Sequence, residues 1–539
     1  MADAETARLC SQVVHTHFGP LTANVATVLL HRGRLSFPQL LRYTRLKPRT
    51  VRAAVLVLVQ HNLLWHGQTD EEGDVLEFNT TECLKRLRFG RYVWVVENMF
   101  GNAAAEIVQL VLDHGKLRPP NIISRLSIYD LKSTSTYSQA LYKLVSESYL
   151  KPSTLLSHQS PRDKRIKYEA EEKAKLIGFP TARQLREAKA VAEARLKREE
   201  EEAERVGLKP KSRDQLNHRS SKKKVAEEVV DDDIYFRVNL DKFDVHIRNK
   251  LIEKAVEERF NRYAALVMKA TLMATESKQK LLSDTRSDPC STNAIAMHIP
   301  DDEDLSAGLA SNLKRPSNAA IVKEYLRLMA NADNPTLAGR AASFLSHSDN
   351  KVYVEFDTIG RRLRRRVLES VARERHGEDA VRIVRLLLDV GKMDEKQVAK
   401  VAMMANKDVR PLLSAMSSDC LISTQEIAKS ADHNPTRTFY LWHIDLDRAY
   451  STLLSSLYKT LFNIGARRQA EQEEPEIKAV LAKCERTDVA QDENLLTRRE
   501  RELLSEWRRR REKLGVLEMR VEEAVFILRD FAPGRNSDE

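Results

Sequence analysis

The chain has 539 residues, 42% of them hydrophobic and 31% charged, with a formal net charge of +11 and a sequence pI near 9.2. Such a length calls for several domains, and the basic balance admits either a polyanionic partner or a basic scaffold. Five scattered cysteines (Cys10, Cys83, Cys290, Cys420, Cys484) without a CxxC pair argue against a zinc site and a disulfide framework, and no secretory leader or run of membrane length is visible, so no membrane partner is expected.

The first recognisable unit is His31-Arg32-Gly33-Arg34-Leu35, followed by the helix-like SFPQLLRYT. Glycine stands where a preceding helix must stop, a basic residue follows, and a second helix starts soon after. A third helix carries Val55, Leu58 and Val59 and ends in the polar triplet Gln60-His61-Asn62. A strand at Leu64 then pairs with Val75–Phe78 across a turn containing Gly73. Arg42, Arg45, Lys47, Arg49 and Arg52 surround the start of the third helix, where a DNA-binding module of this plan meets the groove or the phosphates. The pattern recurs at Asp113-His114-Gly115-Lys116-Leu117, with a third helix at Leu141, Leu144 and Val145 and the triplet Ser146-Glu147-Ser148. Three helices and a hairpin make a winged helix, and the recurrence strengthens the reading.

Pro161 to Glu228 differs in kind: Lys, Arg, Glu and Ala dominate. Thr181 caps a helix over 182–206 with little apolar face, expected to be solvated and to add little core. Lys222-Lys223-Lys224 is either an import signal or a solvated run. A degraded copy follows, with a helix over Leu251–Ala274, a polar loop over Asp284–Asp304, a third helix marked by Ile321, Tyr325 and Leu328, and a strand at Val352–Phe356. Arg361, Arg362, Arg364, Arg365 and Arg366 then form a dense cluster suited to phosphate or to an acidic protein surface.

The third clear copy is Asp389-Val390-Gly391-Lys392-Met393 with DEKQVAKVA, then Leu412, Ala415, Met416 and the triplet Ser417-Ser418-Asp419. After Pro435, Phe439, Tyr440 and Trp442 mark a strand over 437–444. It feeds a helix carrying Leu446, Ala449, Leu453, Leu457, Leu461 and Ile464. This junction is expected to set the angle between the last module and a C-terminal coil, with Trp442 a core residue. A heptad-like seam at Leu503, Trp507, Leu514, Leu517, Val521, Ala524, Leu528 and Phe531 points to an antiparallel partner, joined through the polar segment 471–497.

No phosphate-binding loop, HExxH or GxSxG is present, and Asp445 and Asp447 suit a helix start better than a metal pair. No cofactor, metal or catalytic site is expected. Four stretches, LVQHNL (58–63), LRFGRYVW (87–94), YFRVNLDKFDVHIRNKLIEKAVEERF (235–260) and HNPTRTFYLWHIDLDRA (433–449), make the chain resemble the third-largest subunit of RNA polymerase III over nearly its whole length.

The resemblance implies a mainly α fold with small β-wings: four tandem extended winged helices followed by a C-terminal antiparallel coiled coil. The expected division is 1–88, 89–156, a charged insertion at 157–232, 233–358, 359–445, and the coil at 446–539. It also implies a nuclear, non-catalytic subunit in a heterotrimer with two smaller subunits on the polymerase clamp. There it would act in promoter recognition and opening, with promoter DNA and the initiation factor that carries the TATA-binding protein as partners. A free-standing winged-helix regulator and a scaffold of the proteasome-lid or signalosome type are the alternatives.

Overall fold

The computed structural model describes residues 3–69, 73–127, 134–175, 181–205, 207–210, 228–300, 305–309, 318–330, 343–348, 351–428, 438–486, 489 and 495–531. The chain divides into two compact units, 1–246 and 247–539. No helix among the described residues is long and apolar enough to cross a membrane.

The first unit opens with α1 (Ala4–Arg32), broken at Gly19-Pro20. Then come β1 (Leu35–Ser36), α2 (Phe37–Thr44), α3 (Pro48–Gln60), β2 (Leu64–Thr69) and β3 (Gly73–Phe78). The strands lie in the order β1-β3-β2, with Leu35 opposite Leu76 and Leu64 opposite Phe78. Local chemistry sets these bounds. Gly33 has φ 81° and ψ −139°, a conformation open to glycine alone, and its N–H returns to Leu29 O. Ser36 and Gln39 close a reciprocal capping box on α2. At the end of α3, Asn62 turns left-handed while Leu63 N–H bonds back to Leu58 O at 2.9 Å, a Schellman closure. Ser148 repeats it with Tyr149 N–H on Leu144 O, and Cys420 with Leu421 N–H on Met416 O.

The second set follows α4 (Thr80–Lys85) and α5 (Phe89–Phe100). It comprises α6 (Asn102–His114), α7 (Pro119–Leu126), α8 (Thr134–Ser146) and β4 (Leu150–Pro152). Its sheet is completed from far along the chain. The strand β7 (Phe236–Val238) pairs antiparallel with β4, and Phe236 also bridges Leu117. This is the first-third-second order again, so the charged stretch lies inside the wing. A module starting at 233, as the sequence suggested, would cut this sheet.

The insertion itself folds. Helix α9 (Pro161–Ala174) packs on α10 (Ala182–Arg205), and β5 (Leu208–Pro210) pairs with β6 (Glu228–Val230). Thr181 caps α10 as expected, through a reciprocal pairing with Gln184. The helix is not wholly solvated. Ala188 and Ala192 are buried, as is Tyr168, which donates to Glu199. Alanines at one-turn spacing make a face narrow enough to escape an apolar count. Residues 211–227, including Lys222-Lys223-Lys224, lie outside the described residues.

Helix α11 (Leu240–Arg259) spans the division between the units, and α12 (Arg262–Thr275) follows it. The single helix expected over 251–274 breaks here because Asn261 caps α12, accepting from Ala264 N–H at 2.7 Å. Then come β8 (Cys290–Ser291), α13 (Thr292–Met297), α14 (Asn318–Ala330), β9 (Leu345–Ser348) and β10 (Lys351–Val354), with sheet order β8-β10-β9. The stretch read as a polar loop thus holds a strand and a short helix. Phe356 belongs to the helix after the strand. Ile321 and Tyr325 are buried, whereas Leu328 is exposed.

The last set is α15 (Phe356–His376), α16 (Glu378–Val390), β11 (Met393–Asp394), α17 (Glu395–Ala402), α18 (Asn406–Ser418), β12 (Ser423–Ala428) and β13 (Thr438–His443). Its sheet order is β11-β13-β12, and Asp394 with Gln397 repeats the capping box. Helix α19 (Leu446–Glu473) runs straight on. Its Ala449, Tyr450 and Leu453 share one core with Ile383, Val384, Leu413 and Met416.

Helix α21 (Arg498–Val525) packs antiparallel on α19, with Arg468 bound to Glu518 at 2.7 Å and Arg510 lying 3.8 Å from Glu471. The expected seam holds at Trp507, Leu528 and Phe531, which are buried, but slips elsewhere. Leu504 is buried rather than Leu503, Leu517 is exposed, and Glu518 and Glu522 take inward places. A π-turn over Phe526–Asp530 re-phases the end, so that Phe526, Ile527 and Leu528 are all buried. The connection is not merely polar. Helix α20 (Pro475–Cys484) builds a small core from Ile477, Val480, Leu496, Leu504 and Trp507.

Candidate nucleic-acid interface

The two basic clusters have opposite fates. Arg42 lies near the end of α2, Arg45 is its left-handed cap, Lys47 is the N-cap of α3, and Arg49 and Arg52 follow on the first turns of α3. All five are exposed. Among the described residues none makes an ion pair or side-chain hydrogen bond, and only Arg52 touches a ring, that of Phe37 at 5.7 Å. Their charge therefore faces solvent at the turn between α2 and α3. Leu56, further along α3, is also exposed.

The second cluster, on α15, is spoken for. Arg361 pairs with Asp357 and Arg366 with Glu258. Arg362 lies over Phe344 at 5.5 Å and Arg364 over Tyr450 at 4.2 Å. Arg365 bonds Glu369 at 3.0 Å and Asp389 at 3.1 Å. Burial opposes ionisation of Glu369, but the bonds from Arg385 and Arg365 outweigh it and hold its carboxyl below the ordinary range. Density of arginine in sequence does not report density of free charge, because the partners of Arg362, Arg364 and Arg366, and one of those of Arg365, come from other segments.

The strand β13 is likewise mixed. Trp442 is half-buried, opposite Met393 and Thr424, and packs on the core shared with α19. Phe439 is 50% exposed opposite Ile427, and Tyr440 is 39% exposed. The base of the wing is covered by helices and its arm is not, so the three aromatics do not form one buried junction. Pro435 and residue 437 lie outside the described residues.

One constellation is invisible to motif reading. Asp244, fully buried, accepts from Tyr92 Oη at 2.7 Å and from Arg88 Nη1 at 3.2 Å, and its Oδ2 faces Lys85 Nζ at 3.2 Å. Lys85 also binds Asp241 at 2.6 Å. Burial alone would lower Lys85, but Asp241 and Asp244 hold it above its ordinary range. Burial would likewise raise Asp241, but Lys85 and Lys151 hold it below. Tyr92 and Tyr149 flank Phe243, and Tyr149 shares a 2.6 Å hydrogen bond with His246. Two of the stretches that carry the family resemblance, 87–94 and 235–260, thus meet around one buried carboxylate. Asp244 and Arg248, one turn apart among Leu240, Phe243, Ile247 and Leu251, were the available signal.

Nearby, Lys116 caps a helix that is not its own. Its Nζ donates to Val59 O at the end of α3 and to His158 Nε2, each at 2.8 Å, while Gln60 Nε2 donates to His114 O and Lys116 O. A Cβ on Gly115 would meet Gln60 O at 2.3 Å, so only glycine admits this approach.

Burial, with Lys116 and Arg237 adding to it, lowers His158 to about 4. Burial with Arg86 lowers His61 to about 3, and burial with Lys242 lowers His246 to about 4. A histidine depressed in the folded state stabilises above its unfolded value and loses that contribution as pH falls. The first unit is therefore expected to lose stability progressively from about pH 6.5 toward pH 4. Hydrogen exchange over 58–63 and 114–117 at pH 7 and pH 5 reads it. His158→Gln, which keeps an acceptor for Lys116, should flatten the trend, and an unchanged trend would assign it elsewhere.

Three family models match the chain. They are the RNA polymerase III subunit RPC82 helix-turn-helix domain over 8–67, RNA polymerase III subunit RPC82 over 139–351, and the POLR3C C-terminal winged-helix domain over 368–444. DNA-directed RNA polymerase III subunit RPC3 of Homo sapiens is 27% identical over 98% of both chains. That of Rattus norvegicus gives the same identity and coverage. Subunit RPC-3 of Coccidioides immitis is 27% identical over 97% of this chain and 99% of its own. The helix–strand–helix–helix–hairpin sets at both ends of the chain are thus winged-helix domains, and over nearly its whole length the chain is similar to the RPC3/RPC82 subunits of RNA polymerase III.

Proposed function

We propose that the chain is a non-catalytic, nuclear subunit acting in transcription initiation. In this reading it sits on the polymerase clamp in a heterotrimer with two smaller subunits. It serves promoter recognition and opening together with the initiation factor that carries the TATA-binding protein. Four tandem winged helices form its body, supported by the three sheets of identical order and the two-stranded β4–β7 counterpart, and the α19–α21 pair is its coiled coil.

The observation that carries the DNA role is the exposed, unneutralised set Arg42, Arg45, Lys47, Arg49 and Arg52 at the start of α3. A helix start with fanned cations suits phosphate oxygens. The arginines on α15 already have partners within the chain and are not assigned to DNA.

Lys47, Arg49 and Arg52 changed together to Ala should weaken promoter binding on all sequences alike. The slope of log affinity against log salt should fall by up to about three units, one per lost phosphate contact. Co-purification with the polymerase should persist. An unchanged slope would reassign the patch to a protein partner.

A further inference from the structure

A cavity of about 30 Å³ opens among His61, Asn62, Arg86, Gly115, Arg237 and Leu240. That volume exceeds the roughly 10–15 Å³ that one water needs. Its walls are unusual in charge. Arg86 is 8% exposed, and its Nε has no hydrogen-bond partner. Its guanidinium lies over the rings of Phe18 at 4.6 Å and Phe89 at 4.9 Å, and one Nη approaches His61 Nδ1 at 3.5 Å. Arg237 Nε is likewise buried without a partner.

Neither arginine makes an ion pair with a described residue. Asp113 and Asp241 act on Arg86 and Arg237 only through space, and Asp241 is already held by Lys85 and Lys151. Glu82 lines the cavity without pairing to either. Lys116, close enough to feel Arg237, adds a third cation. Buried charges in folded proteins are paired, and an unpaired guanidinium at this depth is costly.

We propose that Arg86 and Arg237 hold a small monovalent anion in this cavity, where the end of α3 meets the β4–β7 sheet. Halide and carboxylate share the required chemistry, one negative charge that accepts from two Nε–H groups. Asn62 completes the site. Its amide oxygen has no partner, and turning the amide end for end presents NH₂ instead. The anion would then tie the third helix of the first winged helix to the wing of the second set. Lys116, Gln60 and Gly115 bring the same two elements together.

The test is thermal unfolding of the full chain at constant ionic strength, with sodium gluconate replaced stepwise by sodium chloride. Gluconate is too bulky to enter. A bound anion raises the midpoint in a saturable way as chloride increases. Sodium formate should act as chloride does, because it too is small and singly charged. Arg237→Gln, at a half-buried position, should fold and lose the response; Arg86→Gln risks the packing of Phe18 and Phe89 and is not relied upon. Anomalous scattering from bromide in crystals of the full chain should place the ion between the two guanidinium groups. Equal midpoints in all three salts, a response that survives in Arg237→Gln, or no bromide peak there would overturn the proposal.

Discussion

Asp244→Asn is expected to destabilise the first unit by about 3–5 kcal/mol, the cost of removing one partner from a buried ion pair. The carboxylate is fully buried against Arg88, itself 2% exposed, and against Lys85. Asparagine keeps the volume and removes the charge, so Arg88 and Lys85 both lose a buried anion, and Lys85 retains only Asp241. A domain is stable by about 5–15 kcal/mol, so the change takes a large share. Limited proteolysis of the full chain should show early cleavage within 80–246. The core built by Ile383, Leu413 and Leu453 contains no member of this network and should stay resistant. Chemical unfolding with the wild-type midpoint would mean that water already screens the pair.

The second large effect falls on a smaller side chain than tryptophan. Leu413, on α18, is fully buried in the core that also holds Ala449 and Leu453 of α19, and Leu413→Ala should cost about 2–5 kcal/mol. Truncating a fully buried Trp costs about 3–5 kcal/mol. Trp442 is only half-buried, and part of its ring faces water before and after the change, so Trp442→Ala should cost less than Leu413→Ala. Phe439→Ala, half exposed opposite Ile427, should leave the midpoint almost unmoved. Denaturant midpoints of the three variants check the order, and recovery of the polymerase with each checks what the junction does in the assembly. Loss of the complex on Phe439→Ala at unchanged stability would identify the wing arm as a partner contact. A midpoint for Trp442→Ala below that of Leu413→Ala would restore the tryptophan as the keystone of the junction.

What the sequence determined by itself was local. Gly33, Gly115 and Gly391 stop their helices, Ser36 and Asp394 start the next ones, and the turns after α3, α8 and α18 close in the same way. Each depends on atoms a few residues apart, so each was legible in the pattern of one segment. The strand feeding α19 was legible for the same reason.

Only the tertiary structure decided which strand completes the second wing. Phe236 pairs with Pro152 across the whole charged insertion, and nothing near either residue announces the other. It also decided which arginines remain free. Of the five on α15, four meet acidic or aromatic groups from other parts of the chain and Arg361 meets Asp357 one turn away, whereas the five around α3 meet no acidic group. The phase of α21 was settled the same way, because Glu518 faces inward once Arg468 is there to receive it. Pairing, neutralisation and burial are properties of two partners distant in sequence. A charge or an apolar side chain carries only half of that information until the fold supplies the other half.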